Sequence, residues 1–541
     1  MHRHPPETRP VLHSAARPIF GPVRRGRLDF SSLLAAGSLV IAAALILSLA
    51  MLGRRSGGDS AKPLTLFCGA GLRQPTEEIV AAFQRECGVE VQVQYGGSNT
   101  LLGQIEAGGM GDLFLAAEEV YADLARKKGL AQEVIPVAVQ RPVIAVRNGN
   151  PRRIGGMDDL VRADVRVGLA NPGQAAIGRL IKELTNRAGR WKDLEREVTQ
   201  RGVFKPTVTD LANDLKLGTI DASILWDAMV RQDPELEIVQ SEELKPGAAR
   251  IVICVLTSAK DPTAALRFAR YLAARDRGLS VFASMGYEAV EGDLWAASPQ
   301  LTFFSGVIAR PAIEGTIREF EQREGVAVNT VYNGCGILTA QMLASRERKE
   351  GGFPDLYLPG DRCFLEIVKD YFQEAAELSE AEITMVVEKG NPKGIHALKD
   401  LTRPGIRVVV GHPQQCTIGV LTRQMLEKEG LYEPVMKNVV AQMPTASMLV
   451  SAMTTGSCDV ALGWNTHLLA EPGRLDEIRI DSKHTKGIQA LAIARSSDHK
   501  ELARRLFQAI AASRARFESA GFIWRMSSSS APRPVPDDRS K

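Results

Sequence analysis

The chain has 541 residues, room for several domains of roughly 100–200 residues each. Its hydrophobic content of 45% and charged content of 24% are those of globular protein, not of a disordered or fibrous chain. The formal net charge of +4 sits largely in arginines of the first 60 residues, and no later basic stripe carries interleaved aromatics, so no nucleic-acid partner is expected.

Residues 1–30 are Arg- and Pro-rich and are expected to be a disordered cytoplasmic N-terminus. Residues 31–52 are apolar or small throughout, long enough to cross a bilayer as one helix. Arg17, Arg24, Arg25 and Arg27 precede this run, and Arg54, Arg55 and Lys62 follow it. The positive-inside rule then keeps the N-terminus in the cytoplasm and anchors the rest outside. The alternative is a cleaved signal peptide, with small residues at Ser48-Leu49-Ala50. No Cys follows the run, which argues against lipoprotein processing. Residues 53–62 read as a polar linker.

From residue 63 strands alternate with helices. A buried strand is predicted over 64–68 and an amphipathic helix over 74–86, with Ile79, Val80 and Phe83 on one face. A strand over 89–95, a helix over 101–107, a strand over 113–116 and a helix over 120–128 follow. After Arg141 come a strand through Val146, a Gly-Asn-Pro turn and a second α/β set ending at Trp226. A strand over 251–256 and helices over 262–285 close the unit. This order implies parallel sheets wrapped by helices, arranged as two α/β lobes joined by crossover strands.

The whole unit then recurs. Tyr95-Gly96-Gly97-Ser98 returns as Tyr332-Asn333-Gly334-Cys335, and Gly149-Asn150-Pro151 as Gly390-Asn391-Pro392. Pro206-Thr207, Gly218, Asp221 and Trp226 return as Pro444-Thr445, Gly456, Asp459 and Trp464. The offsets stay between 237 and 241, too long for a solenoid unit of roughly 20–50 residues. Two tandem domains are therefore expected, 63–297 and 298–525, followed by a disordered tail, 526–541.

The candidate chemistry lies where helices begin. Gly96-Gly97-Ser98-Asn99-Thr100, Asn171-Pro172-Gly173-Gln174-Ala175-Ala176 and Thr207-Val208-Thr209-Asp210 each lead into a helix, and Thr209 or Asp210 is a candidate cap for the third. Cys68-Gly69-Ala70-Gly71 is a fourth such turn, but it lacks the third glycine of a dinucleotide fingerprint. Helix N-termini present unpaired N–H groups and partial positive charge, which makes them anion sites. The seven cysteines and eight histidines show no metal-ligand spacing. No nucleophile–base pair or phosphate loop stands out. Neither catalysis nor a metal nor a cofactor is expected.

Phe-Cys-Gly-Ala-Gly-Leu, then the segment from Tyr95 to Gly108, then Gly-Asp-Leu-Phe-Leu-Ala-Ala in this order resembles the molybdate-binding protein family, extracytoplasmic solute-binding proteins of ABC importers. Gln104–Gly108 with Asp112–Phe114 is the most specific piece. The resemblance covers both repeats and is stronger in the first. It implies the type II periplasmic-binding fold, two tandem α/β domains, each with a ligand cleft between two lobes, behind an N-terminal transmembrane helix. It also implies an oxyanion ligand, molybdate or tungstate, and an ABC transporter permease as partner. By position the ligand-binding residues are Gly71 (usually Ser in the family), Ser98, Ala175, Val208 and Trp226 (usually Tyr). Arg73 and Arg310 recur beside the site and are read as solvated first-turn residues.

In the second repeat the corresponding residues are Ile308, Cys335, Cys416, Ala446 and Trp464. Three readings stay open there: a degenerate cleft, a softer ligand bound through sulfur, or a Cys335–Cys416 disulfide locking the lobes. Trp226 and Trp464 also suit plain core positions. Two other functions remain. One is a ligand sensor or scaffold with one or both clefts degenerate. The other is an enzyme on the same fold, with Cys335 as the anchoring cysteine.

Overall fold

A computed structural model describes residues 62–348, 352–466, 473–526 and 533–534. The first strand, Leu64–Gly69, is an apolar run whose residues are nearly all buried, as a central strand covered on both faces requires. Helix Arg73–Cys87 buries Ile79, Val80 and Phe83 and ends at Gly88, whose φ of 68° is the left-handed conformation that closes helices. Gly325, with φ 65°, closes the matching helix Arg310–Glu324. Phe83 meets Phe268 and Tyr271 edge-on at 5.0 and 5.1 Å, which docks the closing helix Pro262–Leu272.

The first repeat forms two sheets, one per lobe. One runs Glu288–Ala289, Ala131–Gln140, Ala249–Leu256, Leu113–Ala116, Leu64–Gly69, Val91–Gly96; the other runs Val203–Lys205, Val167–Ala170, Ala222–Trp226, Pro142–Arg147, Leu236–Val239. The expectation of parallel sheets is corrected: both are mixed. Leu64–Gly69 pairs in parallel with its two neighbours, but Ala249–Leu256 runs antiparallel to Leu113–Ala116 and Ala131–Gln140. A strand bringing the chain back from the second lobe runs opposite to the strand that carried it out.

In the second repeat the two sheets are fused. Phe372–Glu388 is one strand of 17 residues. It pairs with Lys486–Ala494 in one lobe and with Val460–Trp464 and Leu475–Arg479 in the other. In the first repeat this crossing carries Pro142, which has no N–H to donate, and the strand is split into Ala131–Gln140 and Pro142–Arg147. The Gly-Asn-Pro turns match in detail. Asn150 and Asn391 take positive φ, 43° and 49°, and each side chain bonds both the N–H and the carbonyl of the residue four on, Ile154 or Ile395. Such local bonding is what lets Asn occupy that region.

Among the described residues no helix is long and apolar enough to cross a membrane. The expected fold class is corrected on that point: the described architecture is two tandem two-lobed α/β domains, with no transmembrane helix among the described residues. The segment 31–52 expected to span the bilayer, with 1–30 and 53–61, lies outside the described residues. In the tail, expected to lack structure, Arg533–Pro534 pairs with Ala375 and Glu374.

The two repeats meet within one compact unit, Pro63–Lys541. Glu324, 2% exposed, accepts from Arg270 of the first repeat at 2.8 Å and from Arg505 of the second at 2.6 Å. Beside it Arg323 and Glu133 form a two-bond ion pair at 2.7 and 3.0 Å.

Candidate functional site

Gly71, Ser98, Ala175, Val208 and Trp226 line one cavity between the lobes of the first repeat. Helices Ser98–Gly108, Ala176–Arg187 and Val208–Leu217 and the helical turn Ala70–Leu72 all begin at it. None of its lining residues is ionisable. The positive potential inside it is that of helix N-termini. Gly97 and Ala175 supply no side-chain cap, and the first-turn amides of Ser98, Ala176 and Val208 find no acceptor among the described residues. The Ala175 amide itself donates to the Asn171 carbonyl at 3.0 Å, so the open amide at that corner belongs to Ala176. Two helices start earlier than the sequence pattern indicates, at Ser98 and Ala176, and this places both residues in the first turn facing the cavity.

Ser98 is 2% exposed, and its Oγ accepts from the Ala117 amide at 3.3 Å, which leaves the hydroxyl proton available for a guest. The cap of the third helix is Thr207, in place of Thr209 or Asp210: its Oγ1 accepts from the Asp210 amide at 3.2 Å and donates to the Asp210 carboxylate at 2.7 Å. Trp226 is buried at the end of its strand, so it is at once a core aromatic and a cavity wall. A Cβ on Gly71 would come 3.0 Å from Val208 Cγ2 and 3.4 Å from Trp226 Cδ1. A side chain at 71 would therefore crowd Val208 first, with the Trp226 ring in ordinary contact beside it. The Tyr287 hydroxyl, pushed up in pKa by burial, donates to the Gly71 carbonyl at 3.0 Å and turns that oxygen to the protein. The cavity measures about 20 Å3, where one water takes roughly 10–15 Å3. With the lobes in this arrangement it has room for a compact guest only.

The lobes touch across this cavity. The Gln174 carbonyl accepts from the amides of Asn99 at 3.1 Å and Thr100 at 3.4 Å, and Asn99 Nδ2 donates to the Gly173 carbonyl at 2.6 Å. An ion pair the sequence did not suggest also crosses: Arg179 of the second lobe donates to Glu118 of the first. Burial pushes the Glu118 carboxyl up, with Arg179 opposing, and its Oε2 stays without a partner. Arg179→Ala would leave a nearly buried carboxylate alone in the closed arrangement. It is expected to weaken anion binding by roughly tenfold in titration calorimetry, since about 1.4 kcal/mol against closure is a factor of ten.

The second cavity repeats the first. Ile308, Cys335, Cys416, Ala446 and Trp464 line it together, and it too measures about 20 Å3. The Gly360 amide donates to Cys335 Sγ at 3.2 Å, as the Ala117 amide does to Ser98. Burial pushes the Cys335 thiol up and the Cys416 thiol up to about 11, so both are protonated at neutral pH. The disulfide reading is corrected: both cysteines are free, and Cys416 Sγ faces the Met443 carbonyl of its own lobe at 3.4 Å. The lobes touch here as well, the Gly336 amide donating to the Gln415 carbonyl at 3.0 Å.

Several repeated residues serve structure. Asp221 and Asp459 tie strand starts to the backbone and side chains of Arg166 and Arg407. Arg73 and Arg310 are exposed, paired with Glu77 and Glu314 and lying over the rings of Tyr95 and Tyr332. Asp112, in the most specific sequence segment, accepts from the amides of Thr65 and Lys260. One wall residue went unnoticed in the sequence. Thr417 lines the second cavity where the first has Ala176, a difference visible by setting Cys416-Thr417-Ile418 under Ala175-Ala176-Ile177.

The model of the bacterial extracellular solute-binding proteins matches twice, over residues 64–288 and 301–523. The chain belongs to this family. Its similarity to individual solute-binding proteins is distant. It is 26% identical to a binding protein of Haemophilus influenzae over 228 residues, 42% of this chain and 91% of that protein. It is 25% identical over 204 residues to the molybdate-binding protein ModA of Mycobacterium bovis, 37% of this chain and 74% of ModA. The structure of the Azotobacter vinelandii periplasmic molybdate-binding protein aligns with 41% of this chain and 98% of its own, at 17% identity and a TM-score of 0.36.

Proposed function

We propose that this solute-binding protein works outside the cytoplasm, captures a small tetrahedral oxyanion in its first cleft, molybdate or tungstate, and delivers it to the permease of an ABC importer. The proposal assigns one binding domain to residues 63–297 and another to 298–525, with Gly71, Ser98, Ala176, Val208 and Trp226 around the anion in the first. The observation that carries it is the convergence of helix starts with open amides on a cavity without any ionisable side chain. Such a site offers an anion hydrogen bonds from fixed dipoles and offers a cation nothing. The ligand-binding role of ModA from Mycobacterium bovis supports molybdate as the ligand class. Capture proceeds by hinge closure of the lobes about the strand crossings near residues 140–142 and 240–248.

Thermal unfolding with molybdate, tungstate, sulfate, phosphate and chromate tests the reading. A ligand at about 100 times its dissociation constant stabilises by about 2.7 kcal/mol. A rise with molybdate or tungstate is the expected result; no rise with any anion would favour a sensor or scaffold role. Ser98→Ala removes one hydroxyl donor to a charged guest, worth about 1.5–3 kcal/mol. It is expected to weaken binding in the first cleft by roughly 10- to 100-fold in calorimetry, and to lower the unliganded unfolding midpoint by a few degrees because the buried Ala117 amide loses its acceptor.

A further inference from the structure

The second cleft departs from the first at eight of the twelve matched wall positions, yet its cavity is no smaller. Helices Cys335–Arg348, Thr417–Lys428 and Ala446–Thr454 and the turn Val307–Ala309 begin at it. The caps of the latter two helices, Cys416 and Thr445, make no side-chain capping bond.

The decisive residue is Thr417. Thr417 is 3% exposed and lines the cavity, and among the described residues its Oγ1 faces no acceptor better than the Cys335 sulfur, a weak one. A buried hydroxyl that faces only a sulfur is poorly satisfied, and a guest in the cavity that accepts from it is a better partner. The opposite wall has changed to match. Gly360 stands where the first repeat has Ala117, and a Cβ there would come 3.0 Å from Thr417 Oγ1. The facing pair Ala117 and Ala176 has become Gly360 and Thr417, one residue shrinking as the other gains a hydroxyl.

We infer that the second cleft is an anion site in its own right, binding one small tetrahedral oxyanion with the Thr417 hydroxyl as its principal side-chain donor. It rests on the proposed reading of the first cleft, whose donor geometry it shares. The hydroxyl comes from the second lobe in this cleft and from the first lobe, through Ser98, in the other. Cys335 keeps the Ser98 position but offers only a thiol, a weaker donor. The two clefts therefore hold the same class of guest with differently placed donors, and their preferences among oxyanions differ.

Titration calorimetry of the intact chain with molybdate, tungstate, sulfate and phosphate tests this. Two equivalents per chain are expected for the wild type. Gly97→Val, which blocks closure of the first cleft, should leave one, and Gly334→Val should leave the other. Thr417→Val keeps the shape of the side chain and should weaken the second equivalent at least tenfold, while Thr417→Ser should retain it; unchanged circular dichroism shows that each variant is folded. One equivalent in the wild type, lost in Gly97→Val, would overturn this inference and leave the reading of the first cleft standing. No equivalent with any anion would overturn both. A second equivalent abolished by Gly334→Val but indifferent to Thr417→Val would overturn the role of the hydroxyl.

Discussion

Glu324→Gln is expected to lower the unfolding midpoint by roughly 10 °C in scanning calorimetry. The carboxylate lies between the guanidinium groups of Arg270 and Arg505, one from each repeat, and all three are nearly buried. Removing its charge leaves two cations packed together with no counter-charge, and breaking one member of a buried ionic cluster costs about 3–5 kcal/mol. For domains of this size each kcal/mol moves the midpoint by about 2–4 °C. The transition should also split, because Arg270 and Glu324 join the repeats. The pH dependence gives a second test. Burial pushes the Glu324 carboxyl up, but Arg505 and then Arg270 outweigh it and hold the carboxyl below the usual range. A depressed folded pKa means a contribution that is complete above the unfolded value, near about 4.3, and is lost as pH falls through the folded value. The gap between wild type and Glu324→Gln should therefore narrow below about pH 4. A gap that stays constant to lower pH would show that packing, not charge, holds the repeats together.

Gly97→Val should abolish anion binding in the first cleft, weakening it by at least about 100-fold, a loss of roughly 2.7 kcal/mol. A Cβ at this position would sit 2.4 Å from the Gln174 carbonyl oxygen and 3.0 Å from that of Pro206, both on the opposite lobe. The backbone at Gly97 is extended, with φ −69° and ψ 137°, which valine adopts freely. The substitution therefore leaves each lobe intact and opposes only their meeting. The expected outcome is loss of the anion-induced midpoint shift from the first cleft, with the unliganded midpoint preserved. Retained affinity would show that the anion binds without closure. Gly334, whose added Cβ would lie 2.4 and 2.5 Å from the Gln415 and Pro444 carbonyls, carries the same expectation for the second cleft.

Much of the site was legible because it is built from chain turns. The helix starts recur in order in both copies, Gly97 as Gly334 and Ser98 replaced by Cys335, and a helix start is a local event set by local residues. The ten positions that the family resemblance implied all fall on the walls of two cavities. Which amide is open was not legible. It depends on where the helix begins, and Ala176 rather than Ala175 follows from a bond between the Ala175 amide and the Asn171 carbonyl. The neighbours of Gly71 were likewise invisible, because Val208 and Trp226 lie 137 and 155 residues further along the chain.

The sequence alone determined the duplication, the alternation of strands and helices, the two lobes of each repeat and the helix starts that line the two cavities. These follow from periodicity and turn chemistry, which act over a few residues. Tertiary structure decided the rest: the mixed sheets, the Glu118–Arg179 pair across the first cleft, the free thiols of the second, the buried Thr417 hydroxyl beside the Cys335 sulfur and the buried carboxylate between the repeats. Each depends on groups distant in the chain being brought together and stripped of water, and only the packed fold sets which groups those are.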